Sequence, residues 1–201
     1  AYDFTTMPAE NVTVYVGWSI NEYTISFVEN GGSVVEDITQ DYATDVVEPT
    51  APVRTGYTFT GWYKDAELTE AYDFTTMPAE NVTVYVGWVI NEYTITLDTD
   101  GGTPIAPIKQ NYGTAVATPS NPRKVGHTFA GWYSDEACTQ SYTFTSMPAA
   151  NTTVYAKWTI NSYTINFVVN GGSAVESITQ NYATAVTQPA NPTKVGYTFL
   201  G

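Results

Sequence analysis

Basic residues are scarce in this sequence, as are cysteine and histidine. The shortage of basic residues argues against two kinds of partner. Seven Lys and Arg stand against 20 Asp and Glu, which gives a formal net charge of −13. Because nucleic acids and anionic lipids are bound through many basic side chains, this charge argues against both partners. Long apolar runs are also missing. No stretch approaches the ~18 residues that a membrane span needs, and no basic-then-apolar leader opens the chain. We therefore expect no nucleic acid partner and no membrane insertion.

The residues that are abundant favour β-sheet. Aromatic residues make up 14% of the chain, and Val, Ile and Thr are frequent. Aromatic and β-branched side chains fit the pleated, half-buried surface of a sheet better than a helical bundle. The composition therefore predicts a β-rich protein.

A string of eighteen residues, AYDFTTMPAENVTVYVGW, occurs at 1–18 and again at 71–88, and a diverged copy lies at 141–158. Each copy begins seventy residues after the previous one. A fixed period of this length indicates a tandem array of small modules. The sequence thus predicts four segments: 1–22, the C-terminal part of an incomplete repeat; 23–92 and 93–162, two full repeats; and 163–201, the N-terminal part of an incomplete repeat.

The first half of each repeat has the pattern of a hairpin. Apolar and polar residues alternate over 23–28, as they do in a half-buried strand. Residues 30–32, Asn-Gly-Gly, then supply the positive φ of a tight turn. The apolar residues that follow are three apart rather than two, which predicts a bulge or a bend. Pro104 and Pro107 predict that this second strand lies at a sheet edge in its second copy.

The second half of each repeat has two further strand patterns. Thr44 and its counterparts Thr114 and Thr184 could first cap one or two helical turns, before prolines prevent more. A third strand is expected at 57–63, and a last strand follows, with one face formed by Val82, Val84, Val86 and Trp88. The resulting fold class is α+β and β-dominated, with little or no helix.

Only four residues, at 19–22, 89–92 and 159–162, separate the last strand of one repeat from the first strand of the next. They contain no Gly, Pro or Ser-rich run, so they cannot act as a flexible coil. We expect stiff junctions around Ile20, Ile90 and Ile160.

Two single residues invite a chemical interpretation, and each has a simpler one. His127 stands where the other copies have Tyr57 and Tyr197, which favours a packed aromatic residue over a metal ligand or catalytic base. Cys138 takes the place of Leu68, which favours a small apolar core residue over a reactive thiol.

Two groups of residues could likewise form a ligand site or have only a structural role. Acidic residues between 65 and 73 are what a calcium site would use, but the second repeat loses most of them, so we predict no metal site. Tyr15, Tyr85 and Tyr155 point away from the valine face of the last strand. They could stack on sugars or pack against a cross-strand neighbour, and the second interpretation is favoured.

No constellation of catalytic residues recurs, so the sequence predicts no enzyme, no catalytic or cofactor-binding residues and no cofactor. Charge does not recur either. Residues 23–92 carry 12 acidic and 2 basic side chains, a net of −10, whereas residues 93–162 carry 4 and 4, a net of zero. A repeated charged binding site would have to survive this difference.

The order of motifs in each repeat resembles a known family. A YTI strand, a Gly-Gly turn, a P-x-x-P segment, the string GYTFTGWY at 56–63 and a TVYxxW strand are similar to the Listeria–Bacteroides repeat, the B-repeat of internalin-like proteins. The resemblance covers the whole chain. It implies β-grasp-like modules on an extracellular, bacterial cell-surface protein, and it brings no catalytic residues.

The expected function is therefore a spacer, a stalk or fibre segment of a bacterial repeat protein or adhesin. Its expected partners are neighbouring repeats, and in the filament alternative below they are identical chains placed end to end. Two alternatives stay open: a filament subunit that assembles by complementation of the incomplete terminal repeats, and a weak glycan- or mucin-binding module that recognises a receptor through the exposed tyrosines.

Overall fold

The structure, a computed structural model, describes residues 2–201. The chain divides into two compact units, Ala1–Val89 and Ile90–Gly201. The described residues form ten strands and no helix. The strands are β1 (Glu22–Val28), β2 (Ile38–Asp41), β3 (Tyr57–Tyr63), β4 (Val82–Ile90), β5 (Glu92–Asp98), β6 (Ile108–Asn111), β7 (His127–Tyr133), β8 (Thr152–Ile160), β9 (Ser162–Ile165) and β10 (Ile178–Asn181).

Each full repeat forms a four-stranded sheet with its first and last strands in the centre. The strand orders are β2-β1-β4-β3 and β6-β5-β8-β7, and β9 pairs with β10 in a two-stranded sheet. The first and last strands are parallel, whereas the first and second strands are antiparallel. Each sheet is therefore mixed, with a parallel pair in the middle and an antiparallel pair beside it.

The predicted turn and the predicted irregularity after it are both confirmed. Asn30 and Gly31 have φ values of 50° and 86°, and the Gly32 N–H donates to the Glu29 carbonyl at 3.0 Å. Pairing with β1 begins only at Ile38, so the chain bends between the turn and β2. In the second repeat β6 lies at the sheet edge, as Pro107 just before it predicted.

The helical turns expected after Tyr42 do not form, because the described chain is all β. The β-dominated part of the expected fold class is confirmed, and the α+β part is not. The Thr44 hydroxyl donates to the Asp41 carbonyl at 2.6 Å, and Thr114 does the same to Asn111 at 2.7 Å. A hydroxyl used in this way closes a turn and does not cap the free amides of a helix. Ala43, with a φ of 63°, is left-handed and belongs to the same turn.

The third strand of the second repeat contains a bulge that the sequence pattern did not predict. Phe129 lies opposite Trp158, and Gly131 lies opposite the very next partner, Lys157. Phe129 and Trp132, three apart, would face opposite sides of a regular strand. The extra residue brings both rings to one side, with centroids 5.3 Å apart.

The core of each unit lies against the central parallel strands. Val84 and Val86 are fully buried, and Val82 and Trp88 pack around them, so the predicted face of the last strand is confirmed. The corresponding core in the second unit consists of Ile95, Leu97, Val116, Trp132, Phe144, Met147, Val154 and Ala156.

Candidate functional site

The parallel pairing of first and last strands fixes where the chain enters and leaves each full repeat. In the first repeat the register runs from Ile25 opposite Val82 to Val28 opposite Tyr85. Since the two strands run in the same direction, the start of β1 and the end of β4 lie at opposite ends of the pair. A pull on the chain ends of the repeat therefore acts along these strands.

Asparagine side chains extend the parallel pair by one more hydrogen bond. The Asn81 side-chain oxygen accepts from the Thr24 N–H at 2.9 Å, and Asn151 accepts from the Thr94 N–H at the same distance. These asparagines precede the last strand in both full repeats. These hydrogen bonds give the asparagine of the recurrent Asn-x-Thr sequence a structural role.

A tryptophan near the end of the last strand packs on the hairpin turn. The Trp88 indole N–H donates to the Glu29 carbonyl at 2.8 Å. A Cβ on Gly32 would lie 2.5 Å from Trp88 Cζ2, so this second turn glycine leaves room for the ring. The last strand is thus attached to the first hairpin as well as to β1.

In the second unit, a single residue, Asn161, connects the last strand of the second repeat with the first strand of the segment 163–201. Its N–H donates to the Gly126 carbonyl at 2.8 Å, and its side-chain oxygen accepts from the Thr128 hydroxyl at 2.7 Å. Its own carbonyl accepts from the Tyr182 N–H at 2.8 Å. We call Gly126, Asn161 and Tyr182 the repeat joint. Groups on both sides of Ile160 fix the joint, in keeping with the stiff junction expected there.

The loop after the third strand, here called the acidic loop, is held by hydrogen bonds to one aspartate. This aspartate is present in both full repeats, as Asp65 and Asp135. Asp135 accepts from the Gln140 N–H at 2.7 Å, from the Thr139 N–H at 3.0 Å and from the Thr139 hydroxyl at 2.9 Å. The Gln140 amide and then the Thr139 amide hold the pKa of Asp135 below its ordinary value.

Asp65 makes the same contacts to Thr69 and Glu70, and the Thr69 amide chiefly lowers its pKa. Within residues 2–201, no three His, Cys, Asp or Glu side chains are grouped so that they could hold a metal ion. Asp-x-x-x-Thr at matching places of both repeats was the sequence signal for this brace.

The interpretations of His127 and Cys138 have different outcomes. His127 is half-buried, and its ring lies edge-on to Tyr182 with centroids 6.1 Å apart, so the packed aromatic interpretation is confirmed. The core interpretation of Cys138 is wrong. This residue is half-buried in a loop at a φ of 52°, outside the core cluster. Its counterpart Leu68 has a φ of 59°, so the position is set by the turn and not by the core.

The three tyrosines of the last-strand motif do not share one environment. Tyr155 is half-buried and lies opposite Tyr133 on the neighbouring strand, as the cross-strand interpretation requires. Tyr85 is also half-buried, whereas Tyr15 is exposed. In both full repeats this tyrosine is therefore half-buried. Glycan binding stays a prediction.

Residues 2–22 and 163–201 expose apolar side chains whose counterparts form the cores of the full repeats. Val16 is 73% exposed, whereas Val86 is 0% exposed. On the other segment Ile165 and Phe199 are exposed, and an open groove of about 480 Å³ runs beside Phe199.

Together, the repeated sheets and the joint define a tandem-repeat β-protein. The family model of the Listeria-Bacteroides repeat domain matches residues 23–86, 93–157 and 163–201. The chain belongs to the Listeria-Bacteroides repeat family.

Three proteins with similar sequences illustrate the relationship. The chain is 43% identical over 192 residues to a protein of Evansella cellulosilytica named "Putative membrane protein", a match that covers 94% of this chain and 29% of that protein. It is 42% identical over 197 residues to "Putative Gly-rich membrane protein" of the same organism, with 97% and 23% covered. Internalin H of Listeria monocytogenes is 42% identical over 120 residues, with 58% and 22% covered.

The chain thus spans less than a third of the length of each of these relatives. In the part of the chain that the structure describes, a helix of the length and apolarity that a bilayer requires does not occur.

Proposed function

We propose that this chain is a non-enzymatic, load-bearing spacer in an extracellular bacterial surface protein. The observation that carries the proposal is the parallel pairing of the first and last strands in both full repeats. Tension along the chain loads all hydrogen bonds of this pair at once, in shear, so they must break together. Membership of a repeat family and the similarity to internalin H support a surface location.

We also infer that each repeat is a β-grasp-like module. The order of the sheet, with an antiparallel strand on each side of a central parallel pair in the second repeat, supports this assignment. Here a loop, not a helix, connects the strands across the core. Residues 23–92 and 93–162 are the two modules that we expect to unfold as units.

Single-molecule force spectroscopy on the whole chain, held at its two ends, tests the spacer role. We expect two cooperative unfolding events, one for each full repeat, since a shear-loaded pair opens in one step. Smooth extension without discrete events would contradict the proposal, because a repeat that yields gradually cannot bear load.

A second candidate function is assembly of the 201-residue chain through its two outer segments. The exposed Val14, Val16 and Trp18 favour it, because residues 12–18 have the same sequence as 82–88, which in the full repeat pairs with β1. A strand of this sequence fits beside β9 by the same register. A sheet edge with unpaired backbone groups readily takes up such a strand.

Size-exclusion chromatography with light scattering tests this candidate. Assembly predicts species larger than 22 kDa that dissociate when Val14 and Val16 are both changed to Asp. The matched control changes the exposed Val47 and Val53 to Asp. A monomer at all concentrations would exclude assembly and leave the spacer role intact.

A further inference from the structure

The joint in the second unit is a contact surface between the second repeat and the segment 163–201. Gly126 is buried and has a φ of 71°. A Cβ built on it would overlap the ring of Tyr182, so the ring lies directly against the glycine backbone. Glycine is the residue that allows both this conformation and this approach. His127 packs edge-on against the same ring, with an angle of 75° between the planes.

Contacts to Asn161 and Tyr163 also orient the ring of Tyr182. Its N–H donates to the Asn161 carbonyl at 2.8 Å, and its ring is edge-on to Tyr163 at 6.3 Å. The Asn161 side-chain amide lies 3.4 Å from the Tyr163 hydroxyl. These contacts lie within residues 161–182, and the Asn161 through which two of them run is also bonded to Gly126 and Thr128 of the second repeat.

The first unit contains the same arrangement. The Tyr42 N–H donates to the Asn21 carbonyl at 2.8 Å, and the rings of Tyr23 and Tyr42 are edge-on at 6.4 Å. The Asn21 side-chain amide lies 3.5 Å from the Tyr23 hydroxyl. Its recurrence in both units shows that each repeat prepares this half of the joint by itself. Such preorganisation lowers the entropy cost of docking.

We propose that Gly126 and Tyr182 form the specific docking contact by which one repeat accepts the next. The partner that fits this surface is a further repeat with an Asn, a Tyr two residues later and a second Tyr nineteen residues after that, as in 161–182. Residues 196–198 repeat the Gly-aromatic-Thr pattern of 126–128. Gly196 is exposed, has a φ of 79° and has open space beside its Cα, so it offers the same surface to a further repeat.

This contact adds to the proposed spacer function, because a docked ring restricts the movement of one repeat relative to the next. Its biological meaning rests on that proposed function. Spin labels on Ala137→Cys and Ala174→Cys, both exposed positions, report the distance between the second repeat and the segment 163–201. The native thiol is removed by Cys138→Leu, which copies Leu68. Pulsed electron paramagnetic resonance on the full chain then gives the distance distribution.

The decisive pair of variants is Gly126→Ala and Gly113→Ala. Both glycines have nearly equal φ values, 71° and 72°, but a Cβ on Gly113 meets nothing within 4 Å. Both variants therefore place an alanine at nearly the same φ, and only the first displaces the Tyr182 ring. We expect Gly126→Ala to broaden the distance distribution severalfold and Gly113→Ala to leave it as narrow as in the parent chain.

A second pair of variants distinguishes loss of the docking contact from a folding defect in Gly126→Ala. Tyr182→Ala removes the ring without backbone strain and should also broaden the distribution, whereas Tyr42→Ala, which removes the equivalent ring of the first unit, should not. A narrow distribution in both Gly126→Ala and Tyr182→Ala would overturn the docking contact. It would leave the force response of β5 and β8 unaffected, so failure of this inference is distinct from failure of the spacer role.

Discussion

Trp158 lies on Gly102, and its indole N–H donates to the Thr99 carbonyl at 3.0 Å. A Cβ on Gly102 would come within 2.6 Å of Trp158 Cζ2. The last strand of the second repeat is therefore fixed to the first hairpin through a glycine that is needed for space rather than for its φ.

Gly102→Ala should therefore destabilise the second repeat. Overpacking of this kind costs about 1–3 kcal/mol. Hydrogen exchange of the strand amides in residues 93–162 measures the loss for this repeat separately from the rest of the chain.

The control is the double variant Gly102→Ala with Trp158→Leu. If the indole is the obstacle, the alanine costs much less once the ring is gone. An equal cost in both backgrounds would contradict the packing account.

Met77 and Met7 occupy the same position in two copies of the eighteen-residue string, but their environments differ. Met77 is 0% exposed within the core of a full repeat, and Met7 is 93% exposed. Met77→Ala should lower the free energy of unfolding of the first repeat by about 2–5 kcal/mol, as a cavity in a core does.

Met7→Ala should stay within about 0.5 kcal/mol, as for an exposed position. Chemical denaturation followed by exchange of the β1 and β4 amides compares the two variants. Equal effects would mean that residues 2–22 are packed like a full repeat.

The side chain of Asp135 makes the acidic loop dependent on pH. Its pKa is lowered in the folded state, so its contribution to stability is complete above the ordinary carboxyl pKa of about 3.9 and is lost as the pH falls through the lower folded value. Asp135→Ala should reduce the protection of the Thr139 and Gln140 amides at neutral pH. The difference from the parent chain should shrink well below pH ~4.

Glu136→Ala, a change at the exposed neighbour, is the matched control and should leave both amides protected. Nuclear magnetic resonance exchange measurements across this pH range decide between the variants. Equal protection in Asp135→Ala and the parent chain at neutral pH would show that the loop does not need its brace.

Local patterns in the sequence predicted much of the sheet. The alternation at 23–28 and the valine row of 82–88 gave the central strands, because the period of two is a property of the strand itself. The Asn-Gly turn at 30–31 was predictable for the same local reason, since it depends on φ.

Contacts between distant residues were not predictable in this way. The second turn glycine, Gly32, is required by Trp88, which is 56 positions away in the chain. The bulge beside Gly131 lets the rings of Phe129 and Trp132 pack on the same side of the strand. The joint depends on Gly126 and Tyr182, which belong to different repeats. In each case the cause is a tertiary contact that no local pattern contains.

The most direct test of the central claim compares two directions of force on the second repeat. In a Cys138→Leu background, handles on Glu92→Cys and Thr159→Cys pull β5 and β8 along their length, in shear. Handles on Asp98→Cys and Thr159→Cys pull the same ends of the two parallel strands apart, so the hydrogen bonds open one after another. The account predicts a clearly higher unfolding force for the first pair. Equal forces in the two directions would contradict a load-bearing role for the parallel strands.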